Sequence, residues 1–258
     1  MVELVLGNQI VKIDAGELVS YKVDGHEYIH QKGSQGWRNS DTEMFPVIGP
    51  MAAVDFEIDT PKGKAIQDQH GLLRELNYEL GFQSNDAAFF TKEYKAKTKV
   101  GNSKYPKKSS AKELYWPYSF TFQKIFELKK NGLEILFKVS GEEGMPFMLG
   151  YHPAFKLYID NPLISAKGKT ITLAEIVAVG NRAFQVADCD TILLKDQKEI
   201  KITTEGFGDF MLWTEVPNMV CIEPITFYPY GVDPKDLKKG FEYISKSEKI
   251  FMVNISVG

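Results

Sequence analysis

Phe120-Thr121-Phe122-Gln123-Lys124-Ile125-Phe126-Glu127-Leu128, followed by Asn131-Gly132 and then Leu133-Glu134-Ile135-Leu136-Phe137-Lys138-Val139, is the stretch that decides the fold. Two strand-like runs flank a pair of residues that tolerates positive φ. That combination is the strongest short-range signal for a tight antiparallel hairpin. Asp24-Gly25 repeats it between 18–23 and 27–29, and Pro61 to Gly63 reads as a third turn.

Working outward, alternation with a period of two recurs at Val2-x-Leu4-x-Leu6, Ile10-x-Lys12-x-Asp14 and Leu18-x-Ser20-x-Lys22. Further strand-like stretches lie at 88–94, 169–173, 192–194, 199–203, 210–214, 219–223 and 250–257. No long segment keeps the i, i+3, i+4, i+7 apolar stripe of a helix. Short strands at regular spacing with turn residues between them indicate a sandwich or barrel. The expectation is an all-β, mostly antiparallel sandwich with very little helix. No composition break, linker or repeat divides it, so residues 1–258 read as one domain.

A chain of 258 residues that is 43% hydrophobic and 25% charged can bury a core and has no disordered bias. The formal charge of −3 is small and evenly spread, which argues against a nucleic-acid partner. The lysine cluster from Lys92 to Lys108 is broken by Gly101, Asn102 and Pro106, and reads as a solvated hairpin or loop with no membrane contact. No apolar run is long enough to span a bilayer. Cys189 and Cys221 are too few for a disulfide framework, and the N-terminus does not look like a signal peptide. The expected location is cytoplasmic.

Four histidines are present. His26 and His30 flank the Asp24-Gly25 turn and read as surface or edge-strand residues. His70 lies in Gln69-His70-Gly71-Leu72-Leu73-Arg74. The glycine lets the backbone bend close to a ligand, and Arg74 offers a forked donor to hydroxyls or phosphate. A capping histidine with a surface ion pair fits the same residues. His152, in Gly150-Tyr151-His152-Pro153-Ala154-Phe155, precedes a proline that holds it extended and ends a ladder. It is placed either to face a cleft or to sit satisfied in the core. Glu223 lies at the end of the apolar run Met219-Val220-Cys221-Ile222-Glu223, where a carboxylate is costly unless paired or used. Near a histidine it makes a candidate acid/base pair; an edge salt bridge is the alternative. Trp213, Tyr151, Phe155, Tyr228 and Tyr230 are candidate platforms for sugar C–H faces. No Cys-x-x-Cys, His-x-His or His-x-x-x-His spacing suggests a metal, and no glycine-rich loop suggests a nucleotide.

Five segments, in order, resemble the aldose 1-epimerase (galactose mutarotase) family, and most closely its LacX-like branch near the hexose-6-phosphate 1-epimerases. They are Phe45-Pro46-Val47-Ile48-Gly49, His70-Gly71-Leu72-Leu73-Arg74, Gly150-Tyr151-His152-Pro153-Ala154-Phe155, Cys221-Ile222-Glu223-Pro224 and Leu237-Lys238-Lys239-Gly240-Phe241-Glu242. The resemblance implies a β supersandwich with a sugar cleft. It implies Glu223 as general base and His152 as general acid, with His70 and Arg74 orienting the substrate and no cofactor. Tyr151 and Trp213 would line the cleft. If the sugar carries a 6-phosphate, Arg74 with Arg38 or a lysine would hold it. A non-catalytic sugar-binding protein is the remaining alternative. Lys239 stands where the family usually has proline, and no Gln-His follows Glu223, so the resemblance does not name the sugar. Unperturbed pKa values near ~4.3 and ~6.5 lead one to expect Glu223 ionised and His152 protonated, each stabilising the other.

Overall fold

The computed structural model describes residues 1–245 and 248–258. Two antiparallel sheets dominate. The larger has nine strands, in the order Lys169–Thr172, Leu163–Ala166, Thr191–Lys195, Glu199–Glu205, Lys249–Val257, Gly132–Gly141, Phe120–Lys129, Ala87–Tyr94 and Glu79–Gln83. The other runs Phe184–Val186, Asp209–Trp213, Met219–Ile225, Gly150–Tyr151 and Glu43–Met44, with Ala154–Lys156 also paired to Met219–Ile225. A four-stranded sheet at the N-terminus is built from Val2–Leu6, Gln9–Asp14, Glu17–Val23 and His26–Glu27.

The deciding hairpin forms, displaced by one residue at its turn. Lys129 pairs with Gly132, so Lys130 and Asn131 make the two-residue turn and Gly132 opens the next strand. Glycine is required there because a Cβ would stand 2.3 Å from the Ile255 carbonyl oxygen of the neighbouring strand. Along Phe120–Lys129, Phe120, Phe122, Phe126 and Leu128 all point inward with Phe137 and Ile135 of its partner. Asp24 and Gly25 both take positive φ, as a tight hairpin turn of this kind needs.

Two local expectations change. The run at 169–173 stops at Thr172, whose hydroxyl accepts from the Glu175 amide while the Glu175 carboxylate accepts from the Thr172 amide. This capping box starts the helix Leu173–Val179. The late strand does not end at Glu223 but continues through Pro224 to Ile225. Proline is tolerated because its missing donor faces the Gly150–Tyr151 side, where the ladder is already broken. Ile222 N donates to Pro153 O and Thr226 N to Leu149 O, and the rung between them would need an amide at 224. Among the described residues no helix is long and apolar enough to cross a membrane.

Candidate active site

Strand register builds the site. Cys221 pairs with Ala154 and Ile225 with Gly150, so the same register sets Glu223 opposite His152. Residues directly opposite in an antiparallel pair share a face. Glu223 and His152 therefore project to the same side, although 70 residues of chain lie between them. Their Oε1 and Nε2 atoms are 3.4 Å apart, and both side chains are almost fully buried. On the other flank, Met211 pairs with Glu223 and Trp213 with Cys221. Trp213 thus lies on this same face, and its ring meets His152 at 6.3 Å.

His152 is held from its second edge too. Its amide donates to Thr42 O at 2.8 Å and its carbonyl accepts from Thr42 N at 3.2 Å. The Trp37 ring stacks on it at 4.3 Å and 22°. The imidazole of His30, which is buried and not a surface group, bonds the Trp37 carbonyl at 2.8 Å and so fixes the turn that carries the indole.

His70 joins the cluster, its ring 5.5 Å from that of His152. The Phe45–Gly49 segment places it: Phe45 N donates to His70 O, Gly49 N to Gln69 O, and Leu73 N to Phe45 O. Gly71 serves this docking. Its φ is +68° and a Cβ would lie 2.1 Å from Phe45 O, so the close approach is to backbone and not to a ligand. Arg74 donates to Asp68 at 2.7 Å, to Glu75 at 3.2 Å and to His70 Nδ1 at 3.2 Å. Three of its five N–H donors are thus engaged within the protein. Arginine cannot accept, so Nδ1 of His70 accepts and the ring proton sits on Nε2.

The electrostatics reverse the expected ion pair. Burial pushes the Glu223 carboxyl well above its ordinary range. Burial likewise drives His152 down to about 3, and the nearby Lys104 ammonium adds to this. Burial thus pushes both groups toward their neutral forms, a carboxylic acid beside an imidazole, and opposes the ion pair. His70 is pushed well below its ordinary value by burial and by His152, Arg74 and Lys104. Lys104 lies 4.0 Å from Asp68 with its side chain three-quarters buried, so this part of the lysine cluster is not a solvated loop.

Alternation also corrects the aromatic candidates. Tyr151 points to the face opposite His152, is fully buried, and donates to Asp41 at 2.7 Å; it belongs to the core and not to the face that carries His152 and Glu223. Phe155 is core as well. Tyr228 is partly exposed, and its hydroxyl donates to Ala183 O at 3.2 Å. Tyr230 lies near Glu223 and is pushed up to about 12, by burial first and then by that carboxylate. Arg38 is exposed beside Trp37 and has no partner among the described residues.

Behind the pair, in the core, lies a charge cluster that the sequence reading missed. Asp41 and Glu43, on either side of Thr42, both meet Lys124 at 2.6 Å. Lys124 projects from the inward row of Phe120–Lys129 and is fully buried. Its grip on both carboxylates pins the segment that bonds His152 on both sides.

Comparison with known proteins matches this architecture. No curated protein matches the chain by sequence. A galactose mutarotase-like protein from Lactobacillus casei has the same fold, with a TM-score of 0.79 and 18% identity over all of both chains. A galactose mutarotase related enzyme from Lactobacillus acidophilus gives 0.80 and 18%, covering all of this chain and 97% of the other. An aldose epimerase homologue from C. elegans gives 0.69 and 9%, covering all of this chain and 98% of the other. The family profile for aldose 1-epimerase matches residues 16–206, a span that holds His70, Arg74 and His152 and stops short of Glu223. With that match over most of its length, the chain belongs to the aldose 1-epimerase family.

Proposed function

We propose that this protein interconverts the α and β anomers of a free hexose by general acid–base ring opening and closure, with Glu223 and His152 as the reacting groups. The observation that carries this reading is their 3.4 Å separation in one buried face flanked by Trp37 and Trp213. Mutarotation removes a proton from the anomeric hydroxyl and delivers one to the ring oxygen, and both oxygens are bonded to the same carbon. Two proton-handling groups a few ångströms apart match that demand.

The pair holds one proton. When the sugar enters, its hydroxyls and the Nε2–H of His70 supply polar partners that the empty cleft lacks. The proton then passes from Glu223 to His152, leaving Glu223 as base and His152 as acid. Glu223 takes the anomeric proton while His152 protonates the ring oxygen. The open aldehyde rotates about C1–C2, and closure reverses both transfers. The pair ends with one proton, as it began, so the cycle needs no redox partner. The indoles supply apolar faces for sugar C–H groups. Three of the five N–H donors of Arg74 are engaged by Asp68, Glu75 and His70, and the two carboxylates beside it favour a neutral sugar over a 6-phosphate.

Polarimetry or NMR exchange on a panel of aldoses and their 6-phosphates tests the reading. Glu223→Gln is expected to cost about 10²-fold or more in kcat. Near-normal turnover in that variant would remove Glu223 as the base, and no turnover of any aldose by the native chain would leave a sugar-binding protein.

A further inference from the structure

We propose that His152, Cys221 and Glu223 form a three-ligand site for a thiophilic divalent cation of the zinc class, and that the cation competes with the sugar for the cleft. The metal site goes beyond the mutarotase reading; only the competition with sugar rests on that reading.

Cys221 lies two residues before Glu223 on the same strand, so both side chains project to one face. His152 stands opposite Glu223 in the extended register, which completes a triangle. One donor atom from each residue, imidazole N, thiol S and carboxylate O, lies within 4.8 Å of the other two, and all three residues are buried. The 3.4 Å between His152 Nε2 and Glu223 Oε1 is longer than an ordinary hydrogen bond. That edge matches a tetrahedral one, since two donors at about 2.05 Å from one zinc ion stand roughly 3.35 Å apart; the edges to the Cys221 sulfur, up to 4.8 Å, exceed the roughly 3.6 Å that zinc would span, so the thiol closes by about an ångström on loading. His152 Nδ1 is buried with no hydrogen-bond partner, so the ring is held by the stacked Trp37 indole and not by the second-nitrogen hydrogen bond usual for a metal-bound histidine. Cys221 otherwise packs in the small apolar cluster with Ala154, Met219, Trp37, Trp213 and Val216.

The donor set suits the ion. One thiolate and one carboxylate cancel a divalent charge, so the loaded site is neutral, as a pocket this dry requires. Sulfur with imidazole selects zinc or cadmium over magnesium or calcium, which prefer oxygen donors. Three protein ligands leave a fourth position open to the cleft. No His-x-His or Cys-x-x-Cys spacing announces the site, because the register, and not the local sequence, assembles it.

The test is a titration of the full chain with Cd²⁺, followed by the ultraviolet thiolate-to-cadmium charge-transfer absorption, and with Zn²⁺ against a chromophoric chelator. The expected result is one ion per chain, the cadmium band present, and binding weakened by excess sugar. Cys221→Ser should abolish the band. Cys221→Ser and His152→Asn should each weaken zinc by more than the roughly 10–100-fold that loss of an outer-shell partner costs. His152→Asn keeps the test open should the cysteine variant fold poorly. A missing cadmium band in the native chain, a band that survives Cys221→Ser, or zinc affinity unchanged in both variants would overturn the proposal. The readout is spectroscopic, so it stands or falls separately from the mutarotase assay.

Discussion

Lys124→Met removes the one cation among the described residues that meets both Asp41 and Glu43 in the core. In the native protein burial pushes Asp41 up to about 6 even with the ammonium at 2.6 Å. Glu43 is held low by Lys124 and Lys92, against the opposing effect of its own burial. Lys92, pushed down to about 8 by burial, keeps its charge near neutrality but donates to the Leu73 carbonyl and makes no ion pair with either carboxylate, so it offsets only part of the loss. Breaking a buried ion pair from one side costs about 3–5 kcal/mol, because the partner stays buried and uncompensated. Two carboxylates are stranded here, so the upper half of that range applies. For a chain of this size the loss of about 4–5 kcal/mol corresponds to a melting temperature lower by about 8–20 °C. The pH dependence adds a sign. Stranded carboxyls have folded pKa values above their unfolded ones, so the folded state binds the extra protons. The variant should therefore regain stability as pH falls from 7 toward 5. Adding Asp41→Asn and Glu43→Gln should restore more than half of the loss, because the stranded charges go with the lysine. Thermal and urea unfolding of the native, single and triple variants by circular dichroism provide the check. A drop of less than about 3 °C for Lys124→Met, or a triple variant no better than the single, would refute the reasoning.

Gly71→Ala combines a left-handed φ with a Cβ 2.1 Å from a carbonyl oxygen, so it should lose stability and displace His70; a native melting curve with unchanged kcat/KM would contradict this. The pH profile of kcat/KM should be flat while the pair holds one proton, falling in acid near the His152 value of about 3 and in base where Glu223 finally ionises. Residual activity of His152→Asn should keep the basic limb, and a basic limb that disappears with His152 would reassign it. Because His152 titrates at about 3 in the folded chain and near 6.5 when unfolded, its burial costs nothing above pH 6.5 and up to about 5 kcal/mol by pH 3. The stability advantage of native protein over His152→Asn should accordingly shrink as pH falls through that window, as read by urea midpoints.

The fold was legible where turn chemistry and alternation agree. Asp24-Gly25 adopts the turn that its residues permit, and the strands at 120–139 alternate as read. Asn131-Gly132 misled by one residue because Gly132 answers to the Ile255 carbonyl on a third strand, a contact no local pattern contains. The helix at Leu173–Val179 was announced by Thr172 and Glu175, whose capping-box spacing was overlooked beside a β-branched run. Of the candidate site, His70, His152 and Glu223 do converge, while Tyr151 was assigned to the cleft without applying the face reversal between adjacent strand residues. Lys124 was visible as a charge within an apolar alternation, and its meaning required Asp41 and Glu43, which arrive from more than 80 residues away. Trp37 carried a weaker sign, a large indole in a stretch rich in glycine, serine and glutamine.

The two faces of the Met219–Ile225 strand have an engineering consequence. Odd-numbered positions there, with Met211 and Trp213 beside them, belong to the reacting side, while Val220, Ile222 and Pro224 belong to the packed side. A library at Trp213, which is only partly buried, would vary a wall of the proposed sugar site, whereas Met211 beside it is a core residue and is better held fixed. Sugar preference, on the proposed reading, and folding would then be separable at one position of this strand pair and coupled at the next.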